Sequence, residues 1–444
     1  MNYKTLSILI IILSASFNKS SYAQVSLDSS KISLEEAFYK ADIYSKTLKE
    51  QHLKTRIGEE NVLNAKKQIL PNIDIDASYG KLSNIPVYVD GILNDAKYIP
   101  IEDHSIYDAS VSTYFNIYNG HKTKNNIKIA EAKKELLNSL EQETLSQIHF
   151  QVATNYLNLQ RYVKFKQLIK QNIKQNKERL NLIEKLFTNG VVLKSDLLRA
   201  QLQLSKQETQ LVTMNNNIVL AQQSLNIIIG NNDNTQILPS DSISISNVEM
   251  NNSYNDYVKQ TLQSSPLEKI AEKQVKISEL QLKTTKSNKL PKIGLFGSYT
   301  YSYPQILLYP YAQSPYLLGE VGIKLSYSLS ALYHDKHQEI AAELYQKQQN
   351  IAKLKVQDKL REGIKTAFNR YNEDLDKIKV SKQNITQAKE NYRIVNQTYF
   401  NQLALITDLL DADTQLLEAK FDLVNNQIAA KLHHYQLLKI TGEL

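Results

Sequence analysis

Cysteine is absent from all 444 residues. No disulfide therefore staples the fold, and no lipidated cysteine anchors it to a membrane. Glycine and proline are scarce, at 12 and 9, which leaves room for long uninterrupted elements. Long apolar runs are missing too. The one candidate, Leu6 to Leu13, is well short of the roughly 18 residues a membrane helix needs. With Lys4 before it and Ser21-Tyr22-Ala23 after it, this run reads as a secretory signal over residues 1–23. A mature chain would then leave the cytoplasm and either stay soluble outside the inner membrane or insert as strands.

Strong charge of one sign is also absent. The formal net charge of +8 falls to about +6 without Lys4 and Lys19. Lysines alternate with Glu and Gln as on solvated helix faces, so no nucleic-acid partner is expected. No nucleophile–base motif, phosphate loop or zinc spacing occurs. His334 and His337 stand i, i+3 without a third ligand, and the adjacent His433 and His434 point apart. The expectation is no metal, no cofactor and no enzymatic activity.

What the sequence does contain is repetition. Leu193 to Leu204 reads LKSDLLRAQLQL, and Leu405 to Leu416 reads LITDLLDADTQL, with seven of twelve positions identical at an offset of 212. The same offset pairs Leu225 with Leu437, Ile228 with Ile440 and Gly230 with Gly442. Upstream, Leu70-Pro71 to Tyr79 matches Leu290-Pro291 to Tyr299 at an offset of 220. The first copy thus carries eight extra residues between Tyr79 and Ile117, as a surface loop would. The halves are 24–230 and 254–444, joined by an Asn/Ser-rich linker over 231–253.

Each half follows one order. Residues 33–70 have helical periodicity, with Ser33 and Glu36 spaced as a capping box, and Pro71 and its counterpart Pro291 end the helices. The period then changes to two. Strands are expected near 72–80, 105–118, 292–303 and 319–329. Tyr107, Ala109, Val111, Thr113, Phe115 and Ile117 share one face, with Asp108, Ser110, Ser112, Tyr114 and Asn116 on the other. Such half-polar runs have the length of strands that cross a bilayer at a tilt. The connection from Tyr301 to Gly319 is rich in tyrosine and proline, as suits a membrane interface. A very long helix follows, His121 to Asn189 and again Tyr333 to Tyr399, then a short turn and a returning helix that stops at Gly230 or Gly442. This is a helical hairpin with a coiled-coil seam.

Four amphipathic strands cannot close a barrel, and open edges are not tolerated in lipid. Several copies would have to share one barrel. On these residues the mature chain resembles the TolC-type outer-membrane efflux family. The resemblance rests on the duplicated helix–strand–strand–helix–helix plan, Leu-Pro at each strand entry, and the helix-opening Asp-Leu-Leu-x-Ala-x-x-x-Leu with its terminal glycine. One departure is visible. The family's Pro-Leu-Phe-x-Gly-Gly junction is replaced by Asn116 to His121 in the first copy and by Ser328 to Tyr333 in the second.

The resemblance implies a mainly helical fold with a membrane β-barrel. Four strands per chain would contribute to a trimeric, twelve-stranded barrel in outer-membrane lipid, above a periplasmic tunnel of helical hairpins. The chain would be the passive outer-membrane duct of a tripartite efflux or type I secretion system. Its partners would be two sister copies, a periplasmic adaptor and an inner-membrane pump, proton-driven or ABC type. A periplasmic coiled-coil adaptor or scaffold with soluble hairpins is the rival reading. The resemblance also assigns residues. Asp408 and Asp411 match acidic rings at the periplasmic entrance, Tyr399 and Asp196 match a gate network, and a family arginine of that network falls at Ala404, leaving the closed state with one fewer tie or with a different partner such as Lys194. The turns Asn189, Gly190, Val191, Val192, Leu193 and Asn401, Gln402, Leu403, Ala404, Leu405 are the expected adaptor contacts. Aspartate in a first turn is also what the helix dipole favours, with Ser195 or Thr407 as N-caps. Asp413 is expected on another, solvated face.

Overall fold

The structure, a computed structural model, describes residues 30–99, 103–243, 253–305 and 312–444. The expected signal segment, residues 244–252 of the linker and part of the tyrosine-rich connection lie outside them.

The helical stretch expected as one element over 33–70 is two, α1 (Leu34–Tyr44) and α2 (Lys46–Lys67). Ser33 caps the first, its Oγ accepting the Glu36 N–H at 3.1 Å. Glu36 turns its carboxylate to Lys40 at 3.1 Å rather than closing the box. Ser45 breaks the stretch and caps α2. The counterpart breaks at Ser265, between α5 (Tyr254–Ser264) and α6 (Pro266–Lys286), where Pro266 opens the new helix because a first-turn N–H is not needed.

The glycine-free, proline-free run becomes α3 (Lys122–Thr188), 67 residues long, and returns as α4 (Lys194–Ile229). Its counterpart is α8 (Lys336–Phe400), returning as α9 (Ile406–Thr441). The two return helices have 36 residues each, and their starts and ends stand 212 residues apart, the offset of the sequence repeat. Around the middle of α3, Val152, Tyr156, Leu159, Leu225 and Ile229 form the largest core cluster. A short parallel pair closes it, β1 (Ser30–Ile32) with β6 (Ile237–Pro239). The Tyr156 hydroxyl donates to Asp241 Oδ2 at 2.8 Å and to the Ile32 carbonyl at 3.0 Å.

The strands form one antiparallel sheet in the order β2 (Asn72–Lys81), β5 (Ser105–Tyr118), β7 (Lys292–Tyr303), β8 (Tyr316–Ser326). The last strand begins and ends three residues earlier than the alternation suggested, so Tyr327 and Leu329 leave the sheet. The extra residues of the first copy fold as a small hairpin, β3 (Ile85–Val87) with β4 (Lys97–Ile99).

Register decides what each face is made of. Asp74 lies beside Ser112, which lies beside Ser298, which lies beside Glu320; Ser78, Asp108 and Ser302 form a parallel row. Ile75, Val111, Tyr299 and Gly319 form a row of the opposite parity. One face is therefore polar and the other apolar. The apolar one is open: Ile75 is 78% and Val321 85% exposed. Among the described residues neither outer edge, β2 or β8, pairs with another strand.

The two strand-to-helix junctions differ from each other. In the first, Gly120 and His121 both take left-handed conformations, with φ of 67° and 66°. A Cβ at Gly120 would lie 2.7 Å from the Ser287 carbonyl, so only glycine fits. In the second, a single helical turn, α7 (Ala331–His334), makes the connection.

Candidate functional site at the hairpin tips

The distal ends of the hairpins are built alike. After α3, Asn189 caps the helix and Gly190 takes φ 72°; its N–H bonds the Phe187 carbonyl, and the Val191 N–H bonds the Leu186 carbonyl. After α8, Asn401 and Gln402 repeat this, Gln402 with φ 64° and bonds from Gln402 to Tyr399 and from Leu403 to Thr398. Both are Schellman turns. Extended Leu193 and Leu405 then open the return helices.

Ser195 and Thr407 do not cap these helices, contrary to expectation. The caps are Leu193 and Leu405, which have no polar side chain to offer. At the second tip a carboxylate does the work instead: Asp408 Oδ2 accepts the Leu405 N–H at 3.2 Å. Asp408 and Asp411 are both exposed. Asp196 is half-buried, within 3.4 Å of Ser195 Oγ.

Beneath the turns Ile183, Ala200, Tyr399, Ile406 and Leu409 form a small core, with Val192 and Ala404 packed against it. Tyr399 is 6% exposed, and its hydroxyl makes no hydrogen bond among the described residues. Burial, and secondarily the nearby Asp196 carboxylate, push its phenol above the ordinary range. The structure thus brings Tyr399 and Asp196 together without a hydrogen bond between them. Ala404 supplies only packing, and Lys194 is exposed. Val191, Leu193, Leu403 and Leu405 are open at the extreme tips, together with Asn189, Gly190, Asn401 and Gln402.

Asp413 overturns its expectation. It is 2% exposed, not solvated. Arg179 Nη2 lies 3.0 Å from its Oδ1, Asn172 Nδ2 donates at 3.2 Å, and Asn176 Nδ2 donates to Oδ2 at 3.1 Å. Arg179 also donates to Asn176 Oδ1 at 2.6 Å and to the Tyr392 hydroxyl at 2.7 Å. Asn176 reaches Gln207 Oε1 at 2.6 Å. The knot joins α3, α4, α8 and α9, all four helices of the two hairpins. Burial works against the Arg179 charge, but Asp413 and Tyr392 outweigh it and hold the guanidinium above its ordinary range. Polar residues at seam spacing were the available signal. Asn172, Asn176 and Arg179 follow the spacing of Ile169, Ile173 and Ile183 on α3, and Asp413 sits between Leu409 and Leu416 on α9.

Comparison with known proteins agrees with this architecture. The sequence model of the outer membrane efflux protein family matches residues 38–231. By sequence alone no curated protein matches the chain. Solved structures share the fold, among them three outer-membrane proteins. The outer-membrane channel OprN superposes with a TM-score of 0.79 at 15% identity, covering 93% of this chain and 90% of its own. The outer membrane protein VceC from Vibrio cholerae gives 0.76 at 15% identity, over 92% and 96%. The open state of the Neisseria gonorrhoeae MtrE outer membrane channel gives 0.72 at 15% identity, over 92% and 88%.

Proposed function

We infer, from the fold shared with outer-membrane channels and the family match over residues 38–231, that this chain is the outer-membrane channel of a tripartite efflux system. The barrel sits in the outer membrane and the helical hairpins occupy the periplasm. The chain is a duct, not an enzyme; energy comes from its partner. One observation carries this reading. Among the described residues the sheet has four strands, two unpaired edges, one apolar face and one polar face. Lipid tolerates no open edge, and the smallest membrane barrels have about eight strands. Three copies, edge β8 of one against edge β2 of the next, would close a twelve-stranded barrel with Ile75 and Val321 toward lipid and Asp74 and Glu320 toward the bore. A soluble scaffold would leave those apolar residues in water. The test is fractionation and mass measurement: the mature protein should travel with the outer membrane and remain a trimer in detergent. A soluble monomer released by osmotic shock overturns the assignment in favour of the scaffold.

The entrance is the other half of the proposal. Asp408 and Asp411 are exposed and close together on α9, and three chains would place six carboxylates around one opening. Such rings attract cations and repel anions. Tyr399 and Asp196 lie beside them as gate residues. The exposed Leu193, Leu403 and Leu405 at the tips offer an adaptor, on the way to a proton-driven or ABC pump, an apolar contact; type I secretion would use the same surface. Replacing Asp408 and Asp411 together with alanine should weaken block of the reconstituted channel by a trivalent cation about tenfold, the effect of roughly 1.4 kcal/mol of lost attraction. Unchanged block removes the ring.

A further inference from the structure

The two edges of the sheet carry charges that the chain itself leaves unanswered. On the polar face of β8, Lys324 lies beside Gly294 of β7; on the polar face of β2, Asp74 lies beside Ser112 of β5. Both are exposed, and neither stands opposite a counter-charge in its own ladder. The edges also match in length. β2 has 10 residues and β8 has 11, and each has one end toward the helices, Asn72 on β2 and Ser326 on β8. Strands of neighbouring copies brought together at these edges run antiparallel. A shift by an odd number of residues would turn one edge's apolar face to the bore, so only registers two residues apart compete. One of them seats the edges flush. With Asn72 opposite Ser326, every residue of β2 is paired, Lys81 falling opposite Leu317. Asp74 then faces Lys324, and Ser78 faces Glu320, toward the bore. Ile73, Ile75 and Ala77 face Leu325, Ile323 and Val321 on the apolar side.

Opposite charges directly across a ladder stabilise it, and like charges destabilise it. Sliding two residues one way sets Asp76 against Glu320. Sliding two the other way leaves Asn72 and Ile73 without partners and Glu320 against Gly80. Closure of the ring agrees. The row through Asp74, Ser112, Ser298 and Glu320 continues across the flush seam to Ser78 of the next copy, a stagger of four residues per chain and twelve around three chains. At about 3.3 Å per residue and about 4.8 Å between strands, twelve strands so staggered tilt by about 35°, as membrane barrels do. The slide that opposes the two acids gives only about 19°. We propose that copies meet in the flush register, with Lys324 of one paired to Asp74 of the next at the wall of the bore, once in each of three seams. The register presupposes the shared barrel of the proposed function; it adds which residue of the sister copy each edge residue meets.

The absence of cysteine makes the register directly readable. Residues directly opposite have Cα atoms about 4.5–5.5 Å apart, within disulfide reach, and those displaced by two positions about 7–8 Å, outside it. The full chain carrying Ala77→Cys with Val321→Cys, oxidised in outer membranes with copper–phenanthroline, should link into covalent trimers. Within one chain β5 and β7 stand between these positions, so the link forms only between copies. Ala77→Cys with Ile323→Cys, and Ile75→Cys with Val321→Cys, read the two displaced registers and should link at least about fivefold less. Preferred linking through either displaced pair overturns the register and leaves the shared barrel standing, and so does an intact trimer that links through none of the three. Absence of any trimer in the unaltered protein removes the barrel, and the register with it. The ion pair has its own readout. Asp74→Lys and Lys324→Asp, made singly, set like charges against each other in every seam and should lower the temperature at which the trimer dissociates in detergent. The two together restore opposite charges and should recover most of the loss. A single variant that fails to assemble is judged the same way, by return of the trimer in the double variant. A double variant no more heat-resistant than the weaker single one removes the pair.

Discussion

At one end of the long helices Ile75, Val321, Ile323 and Leu325 stand open, and among the described residues no strand of the four-stranded sheet contributes to any of the apolar core clusters. At the other end Leu409 is fully enclosed and Asp413 is bonded on both oxygens by residues of its own chain. In the proposed trimer the sheet would receive its hydrophobic stabilisation from outside the chain, from lipid and from sister strands. The tips receive theirs from within. On that reading the helical hairpins would have structure of their own before assembly, whereas the sheet would become stable only as the barrel closes. A substitution in the sheet should be read out in assembly, and one at the tips in conduction.

The largest expected effect breaks that contrast most directly. Val321 lies mid-strand on the apolar face and Ser298, one strand over on the polar face, is paired with Glu320. Val321→Arg puts a charge against lipid at about 2–4 kcal/mol per chain, repeated in every copy. It should abolish the outer-membrane trimer. Ser298→Arg places the same side chain in the bore beside a carboxylate, and should assemble normally while altering conductance and ion preference. Equal assembly of the two proteins would mean that the faces were assigned the wrong way round or that the sheet meets no lipid.

Much of the sheet was legible beforehand because period two survives in the sequence wherever one face is apolar. Ile73, Ile75 and Ala77 sit where alternation put them, and the long helices follow from the run without glycine or proline. The break at Ser45 was less visible, since helical periodicity continues through it. The first strand-to-helix junction was hidden because its two left-handed residues, one of them His121, leave no pattern. At the tips the carboxylates could be placed, but not their roles. Asp408 caps its own helix, and Asp413 resembled one more solvated acid. Its burial depends on Arg179, 234 positions away, and such a pairing is set by tertiary packing that local sequence does not encode. The polar residues in the seam of α3 were the readable hint.

A smaller effect compares the two tips with each other. Gly190 and Gln402 hold the same left-handed position in the same turn, but glycine does so without strain, whereas a residue with a Cβ loses about 1 kcal/mol or more. Gln402→Gly should therefore slow hydrogen exchange of the Leu403 amide, held by the Thr398 carbonyl at 2.8 Å, by about fivefold through local stability alone. Gly190→Gln should speed exchange at Val191 by a similar factor. If both substitutions leave exchange unchanged, the turns are stabilised by their surroundings rather than by their own backbone.

The smallest effect is a pH dependence set in the helices rather than in the sheet. His434 on α9 is half-buried, its Nδ1 is buried without a hydrogen-bond partner among the described residues, and its ring lies 5.9 Å from those of Tyr371 and Tyr435. Burial pushes its imidazole below the ordinary value, with Glu443 pulling weakly the other way. The unfolded chain takes up this proton below about pH 6.5, while the folded chain still resists it. In that window the unfolded state binds more protons, so stability falls as the pH falls. The loss is complete once the pH is below the lower folded value. His434→Phe keeps a ring against the same neighbours and removes the proton site, so its melting temperature should fall less between pH 7 and pH 5. Glu143, pushed up by burial, works in the opposite sense and gains stability on acidification, so the His434 contribution is read as a difference between the two proteins and not from either curve alone. An identical acid slope in both would mean that His434 contributes nothing to the acid sensitivity of the helices.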